Sequence, residues 1–276
     1  MTRNRGEVIR IAVSMTVACA LGSAILGGVY VATSRYAEAA RVQFERRAIT
    51  EMLSLDATAT VLEVRQFLAP AQREVIYRAN GPGGGKELAF TLDGKRVNRV
   101  RSAEDAKADE KSLKPLGRLF VASRNGAPAG FVVEGETRGY KNRIRFFVAL
   151  DSQFRIAGVR VVEHEEDPGL GAEIAKPWFQ GQYEGRPADG LSTLDVTRDP
   201  MPEDWRAALL LRGKTARPEW QSRYGPLQER EAARPIYAVT GATISSRALT
   251  DGVRSTVDHF RRRWALIEPY LAGGKS

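Results

Sequence analysis

Apolar and polar positions follow three different rhythms along the chain, and each rhythm predicts a different kind of element. From Ile11 to Thr33 no charged residue interrupts the run. At 1.5 Å per residue this stretch is about 35 Å long, enough to cross a bilayer, so it predicts a transmembrane helix over 11–33. From 34 to 55 the chain is rich in Ala, Arg and Glu, with Val42, Phe44, Ile49, Met52 and Leu53 spaced among them. That pattern predicts a second helix, rising from the membrane to a folded domain over 56–276. A two-residue period appears from Arg118 onward: Leu119–Ala122 and Gly130–Val133 flank Asn125-Gly126, a strong short-range hairpin signal. Ile144–Leu150 and Ile156–Val162, joined near Asp151-Ser152, predict two further strands. The last rhythm places Leu249, Val253, Val257, Phe260, Trp264 and Ile267 on one helical face. The predicted class is α+β: an antiparallel sheet with flanking helices behind one N-terminal transmembrane helix. Asn80-Gly81-Pro82-Gly83-Gly84-Gly85 reads as a loop rather than a nucleotide-binding turn, because no Gly-Lys-Ser/Thr follows. Residues 101–115 are charged and predicted to be exposed.

Composition narrows the chemistry. The single cysteine, Cys19, excludes an internal disulfide framework, and two histidines, His164 and His259, argue against a multi-histidine metal centre. The formal charge of +9 comes from basic residues dispersed among acids, apart from Arg261-Arg262-Arg263. Most of it reads as solvated surface, and no nucleic-acid partner is expected. Ala37-Glu38-Ala39 has the small-x-small pattern of a cleavage site, but the apolar run is longer than a signal peptide needs, which favours an uncleaved anchor. Arg3, Arg5 and Arg10 before the span favour residues 1–10 on the cytoplasmic side, with the domain beyond the membrane.

Candidate chemistry gathers in two places. A β-prone run, Pro235–Val239, leads through Thr240-Gly241-Ala242-Thr243 into the last helix. The first N–H groups of a helix lack internal partners and attract phosphate, and Thr243 sets a hydroxyl beside them. Thr243 or Ser245 acting as a plain helix cap is the alternative. The other place is Glu163-His164-Glu165-Glu166-Asp167-Pro168-Gly169-Leu170-Gly171, where a strand stops at an acidic loop. Glu163, His164 and Asp167 as metal ligands, or Glu165 and Glu166 as general acid and base, are open readings. The rigid Pro168–Gly171 turn also exposes backbone groups suited to a flat heterocycle, with Leu170 covering one face.

The acidic Pro-Gly-Leu-Gly loop followed by Thr-Gly-Ala-Thr-x-Ser-Ser, behind a single anchor, resembles the covalent-FMN subunits of bacterial ion-pumping electron-transfer complexes. These are the G subunit of the Rnf complex and the C subunit of the sodium-translocating NADH:quinone reductase. The resemblance runs from Gly139-Tyr140 through the final helix, and the anchor agrees in position; no motif covers 56–117 or 191–232. It implies FMN bound to Thr243 through a phosphoester, with Thr240, Gly241, Ala242, Ser245 and Ser246 lining the phosphate. It also implies that Glu163, His164, Pro168, Gly169, Leu170 and Gly171 lie close to the ring, with Tyr140 packing on it. An inner-membrane electron carrier follows, with no catalytic residue or metal of its own. Its partners would be the other membrane subunits and a flavin transferase that attaches FMN from FAD with Mg²⁺. Two positions depart from the pattern. Tyr237 stands where the transferase signature has an acid, and Asp167 stands where threonine is usual. A charge at Asp167 near the ring would disfavour reduced, anionic flavin. The Glu163-His164 loop is more like Rnf and the tail from Gly252 more like the quinone reductase; the Rnf protein is the preferred match.

Overall fold

The computed structural model describes residues 3–81, 84–97, 112–212 and 214–271. They fall into two units, 1–48 and 49–276. The first is helical. Helix α1 (Arg3–Leu53) runs without a break, so the two helices expected over 11–33 and 34–55 are one. No proline interrupts the run, and the Ala, Arg and Glu beyond Thr33 are strong helix formers. This helix is long and apolar enough to cross a membrane, with mean hydropathy 1.9 in its most apolar stretch.

Within the second unit α1 ends at Leu53, where Ser54 turns to φ 51°. Arg217 donates to the Met52 carbonyl in the last turn of α1 at 3.0 Å, and also to Ala157 O at 3.1 Å.

Eight strands follow as one sheet in the order β4-β3-β2-β1-β5-β6-β7-β8, every neighbour antiparallel. The four strands expected from the alternation are β5 (Lys114–Arg124), β6 (Ala127–Arg138), β7 (Arg143–Asp151) and β8 (Ile156–Glu163). Asn125 at φ 52° and Gly126 at φ 79° make the tight turn between β5 and β6. The other half comprises β1 (Thr60–Ala69), β2 (Glu74–Gly81), β3 (Gly84–Thr91) and β4 (Arg96–Val97). The glycine-rich loop expected over 80–85 is therefore the tip of the β2–β3 hairpin, with Gly81 opposite Gly84; residues 82 and 83 lie outside the described residues. Most of the charged stretch expected over 101–115 also lies outside them, and β5 begins at Lys114.

After β8 come short helices: α2 (Pro177–Gln180), α3 (Glu203–Leu211) and α4 (Arg217–Ala232), with a two-stranded parallel pair of β9 (Val196–Thr197) and β10 (Ile236–Tyr237). The last helix, α5 (Thr243–Leu271), buries Leu249, Val253, Val257, Phe260, Trp264 and Ile267 against the sheet, the face its spacing predicts. Phe131 of β6 lies at the centre of this contact, with ring centroids 4.6 Å from Trp264 and 5.2 Å from Phe260. Two glycines set how closely helix and sheet approach. A Cβ at Gly252 of α5 would lie 2.9 Å from Thr137 Cβ of β6, and one at Gly135 of β6 would strike Thr256 Oγ1 of α5 and lie 2.6 Å from the Phe146 ring. The tripled arginine sequence is held by polar partners, Arg261 by Asp189, Arg262 by Asp258 and Arg263 by Gln66.

Gly135→Ala is expected to lower stability by about 2 kcal/mol through overpacking. Gly252→Ala should cost less, because alanine regains about 1 kcal/mol of helix propensity; urea unfolding of the detergent-solubilised chain distinguishes the two. A second prediction concerns Glu134, which accepts from Arg118 at 3.0 Å and Arg145 at 2.7 Å across three strands. Burial alone would push its carboxyl up, but the two guanidinium groups outweigh it and hold it below the usual range. Its stabilisation is present above the ordinary glutamate value and is lost as pH falls through the lowered one. Glu134→Gln should therefore be about 2 kcal/mol less stable at neutral pH, and the difference should close in acid.

Candidate functional site

The chain reaches Thr243 along a path fixed residue by residue. Gln182 pairs both main-chain groups of Tyr237, accepting from its N–H at 2.8 Å and donating to its carbonyl at 3.2 Å. Arg186 gathers the carbonyls of Glu231, Ala232 and Arg234 at the end of α4, and burial draws its own pKa down to about 10. From there Ala242 N donates to Val239 O at 2.9 Å, across a turn in which Gly241 takes φ 78°, a conformation that favours glycine. Ser246 N then donates to Ala242 O at 3.0 Å and opens α5.

Neither Thr243 nor Ser245, the two hydroxyls offered as possible caps, makes a capping hydrogen bond among the described residues. Ser246 Oγ braces the turn, accepting from Val239 N at 3.0 Å and donating to Ala242 O at 2.9 Å. Ser245 Oγ donates to Glu166. Among the described residues the Thr243 hydroxyl makes no hydrogen bond, and Ala242 before it has no side-chain oxygen to offer the first N–H groups of the helix. The alternative in which Thr243 or Ser245 is a plain cap is set aside by these partners.

Glu166 connects the second sequence motif to the first. Its side chain is buried; Oε1 accepts from Lys141 N at 3.0 Å and Oε2 accepts from Ser245 Oγ. The turn between β6 and β7, the acidic loop and the start of α5 therefore meet on one carboxyl group. Two glycines leave room for it, since a Cβ at Gly139 would strike Oε1 and one at Gly171 would lie 2.6 Å from Oε2. Leu170 rests on the Thr240–Thr243 turn: a Cβ at Gly241 would lie 3.1 Å from Leu170 Cδ2.

A cavity of about 650 Å³ opens beside this junction. Thr243, Thr240, Gly241 and Gly169 line it, together with Trp178, Met201, Arg198 and Arg206. Its size falls within the usual range for small-molecule and cofactor sites, about 300–1,000 Å³.

The other expected site residues are distributed around this centre. Ala242, Ser245, Ser246 and Gly171 are buried behind the turn, where they shape it. Pro168 and Leu170 are exposed at the rim, and Tyr140 is 67% exposed on the β6–β7 turn, outside the residues lining the cavity. Glu163 pairs with Arg145 at 2.5 Å as part of the sheet's charge network, and His164 keeps a buried Nδ1 without a partner. Asp167 forms an ion pair with Lys141 at 2.7 Å, which offsets its charge and pushes the lysine pKa up. Glu165 accepts from Asn142 at 2.7 Å and is exposed, so Glu165 and Glu166 do not act as a pair. Among the described residues no group of three or more His, Cys, Asp or Glu is placed to hold a metal. Tyr237, in the position expected to be acidic, donates its hydroxyl to buried Glu231 at 3.0 Å. Burial, and then the Glu231 carboxylate, hold that phenol above its usual pKa against the opposing pull of Arg234.

Several residues of the site escape sequence reasoning, among them four with side chains suited to a ligand. Trp178, Met201, Arg198 and Arg206 belong to irregular segments or a short helix, where neither periodicity nor motif singles them out.

The model of the FMN-binding domain family matches residues 139–258. The G subunit of the proton-translocating ferredoxin:NAD(+) oxidoreductase complex of Clostridium ljungdahlii is 21% identical over 256 residues, 93% of each chain. The G subunit of the ion-translocating oxidoreductase complex of Methanosarcina acetivorans is 30% identical over 136 residues, 49% of this chain and 53% of that protein. Among solved structures, Shewanella oneidensis NqrC covers 83% of this chain and 99% of its own at 15% identity, with a TM-score of 0.49. Residues 139–258 match the FMN-binding domain family, and the chain is similar to the G subunits of ion-translocating oxidoreductase complexes.

Proposed function

We propose that Thr243 carries FMN through a phosphoester, and that the chain is a membrane-anchored electron carrier within an Rnf-type complex. The observation that carries this reading is the unengaged Thr243 hydroxyl at the first residue of α5, opening into the 650 Å³ cavity. A phosphate esterified there would meet the free N–H groups and the positive end of a 29-residue helix. The lining residues fit the rest of the group: Trp178 and Met201 offer apolar surface, and Gly169 and Gly241 offer backbone.

Bound flavin supplies one- and two-electron chemistry, and the chain supplies position and electrostatics. Attachment is a single substitution at phosphorus. Thr243 Oγ1 bonds to the flavin phosphate of FAD, the pyrophosphate bond breaks, AMP leaves, and the hydroxyl proton passes to solvent. A flavin transferase is the partner for that step. Glu166 then keeps the acidic loop seated on the start of α5, and the paired Lys141–Asp167 leaves little net charge at the rim.

The anchor is the transmembrane segment 11–33 within α1, with residues 1–10 cytoplasmic and the folded domain 56–276 on the outer side of a bacterial inner membrane. Neighbouring membrane subunits are the donors and acceptors of the electrons. The relatives from Clostridium ljungdahlii and Methanosarcina acetivorans are both G subunits, which favours the Rnf-type assembly over the quinone reductase.

Peptide mass spectrometry on the chain from its own host tests the attachment. The peptide containing Thr243 should carry an added mass on the order of 440 Da, the esterified flavin cofactor, and Thr243→Ala should lose it. An unmodified peptide in the natural chain sinks the carrier reading. Glu166→Ala leaves polar partners unpaired at a cost of about 1–3 kcal/mol; flavin occupancy should fall about tenfold, whereas Glu165→Ala should leave it unchanged.

A further inference from the structure

We propose that Arg198 and Arg206 form a preformed phosphate clamp that selects a phosphorylated flavin over an unphosphorylated one. The proposal rests on the reading of Thr243 as the flavin carrier and assigns a role to a segment with no recognisable motif. Both arginines line the cavity that Thr243 enters. Among the described residues neither has a carboxylate within ion-pairing distance, whereas Arg118, Arg145, Arg212, Arg230 and Arg247 of the same domain each do. Two acids share the cavity, but other groups hold them: Asp199 accepts from Thr197 Oγ1 at 2.7 Å, and Glu173 from Trp178 Nε1 at 3.5 Å.

The fold fixes where these two side chains leave the backbone. Arg198 directly follows β9, whose Thr197 pairs with Tyr237 and whose carbonyl accepts from Ala238 N at 2.9 Å. Arg206 projects from α3, which buries Trp205, Ala208 and Leu209 in a cluster with Trp220 and Tyr237. Both arginines are thus referenced to Tyr237, six residues before Thr243, so the clamp and the attachment hydroxyl share one frame. A phosphodiester keeps a negative charge, and the planar guanidinium fork matches its oxygens. Riboflavin has the same ring and no phosphate, so the clamp gives it nothing.

The test uses the full-length chain in detergent with Thr243→Ala, which removes the ester and leaves the cavity. FMN and riboflavin are titrated by flavin fluorescence, and unfolding is followed in parallel. FMN should bind at least about tenfold more tightly than riboflavin, in line with charge-assisted hydrogen bonds to phosphate. Adding Arg198→Gln or Arg206→Gln should each weaken FMN about tenfold and leave riboflavin unchanged, and Arg206→Lys should recover part of the loss. Equal weakening of both flavins, unchanged FMN affinity, or no FMN binding at all overturns the clamp. The two readings fail separately: a natural chain without flavin on Thr243 defeats the carrier reading even if the clamp binds FMN, and a flavin-bearing natural chain with indifferent arginines defeats only the clamp.

Discussion

The site depends on the hydrogen bonds of one buried carboxyl group. Glu166 sits between three segments that are distant in sequence: the turn after β6, the acidic loop after β8 and the first turn of α5. A buried carboxyl group is costly without hydrogen-bond partners. Here a main-chain N–H and a hydroxyl meet its two oxygens, and the glycines at 139 and 171 leave the space it needs. Ser245 is held by Glu166 and Ser246 by the turn itself, while the remaining hydroxyl at the helix start, that of Thr243, lines the cavity with no hydrogen-bond partner among the described residues.

The sheet and the last helix explain why this junction can be rigid. Strand β7 is buried along most of its length, and the glycine-flanked approach of α5 to β6 and β7 fixes the height of the helix over the sheet. The register of the helix is set by Phe131, Phe260 and Trp264, so a displacement of Thr243 would have to disturb that aromatic cluster. On the other side Gln182 and Arg186 hold the incoming chain by its backbone groups, independent of what the side chains there are.

Much of this is legible in the sequence where a period or a turn signal controls the structure. The β5–β8 strands follow from alternation and Asn125-Gly126, and the buried face of α5 follows from its 3.6-residue spacing. The strands β1–β3 are not legible in the same way, because their apolar positions are diluted by charges such as Arg65, Arg78 and Glu87 that pair across the sheet surface. The site is legible as two motifs but not as one centre. Nothing in the spacing of Glu163 to Asp167 says that Glu166 is the residue that turns inward while Glu163 joins Arg145 and Asp167 joins Lys141. Arg198 and Arg206 are invisible for a related reason, since the pairing of β9 with β10 brings one, and the packing of α3 on Tyr237 the other, to the cavity that Thr243 enters.

The most direct measurement is an experimental structure of the chain isolated from its own host, at a resolution that shows the cofactor. Continuous density is expected from Thr243 Oγ1 through a phosphate into the cavity bounded by Gly169, Trp178 and Met201, with Glu166 still bonded to Ser245. Density for flavin on another hydroxyl, or a flavin ring outside that cavity with the Glu166–Ser245 contact broken, would contradict it.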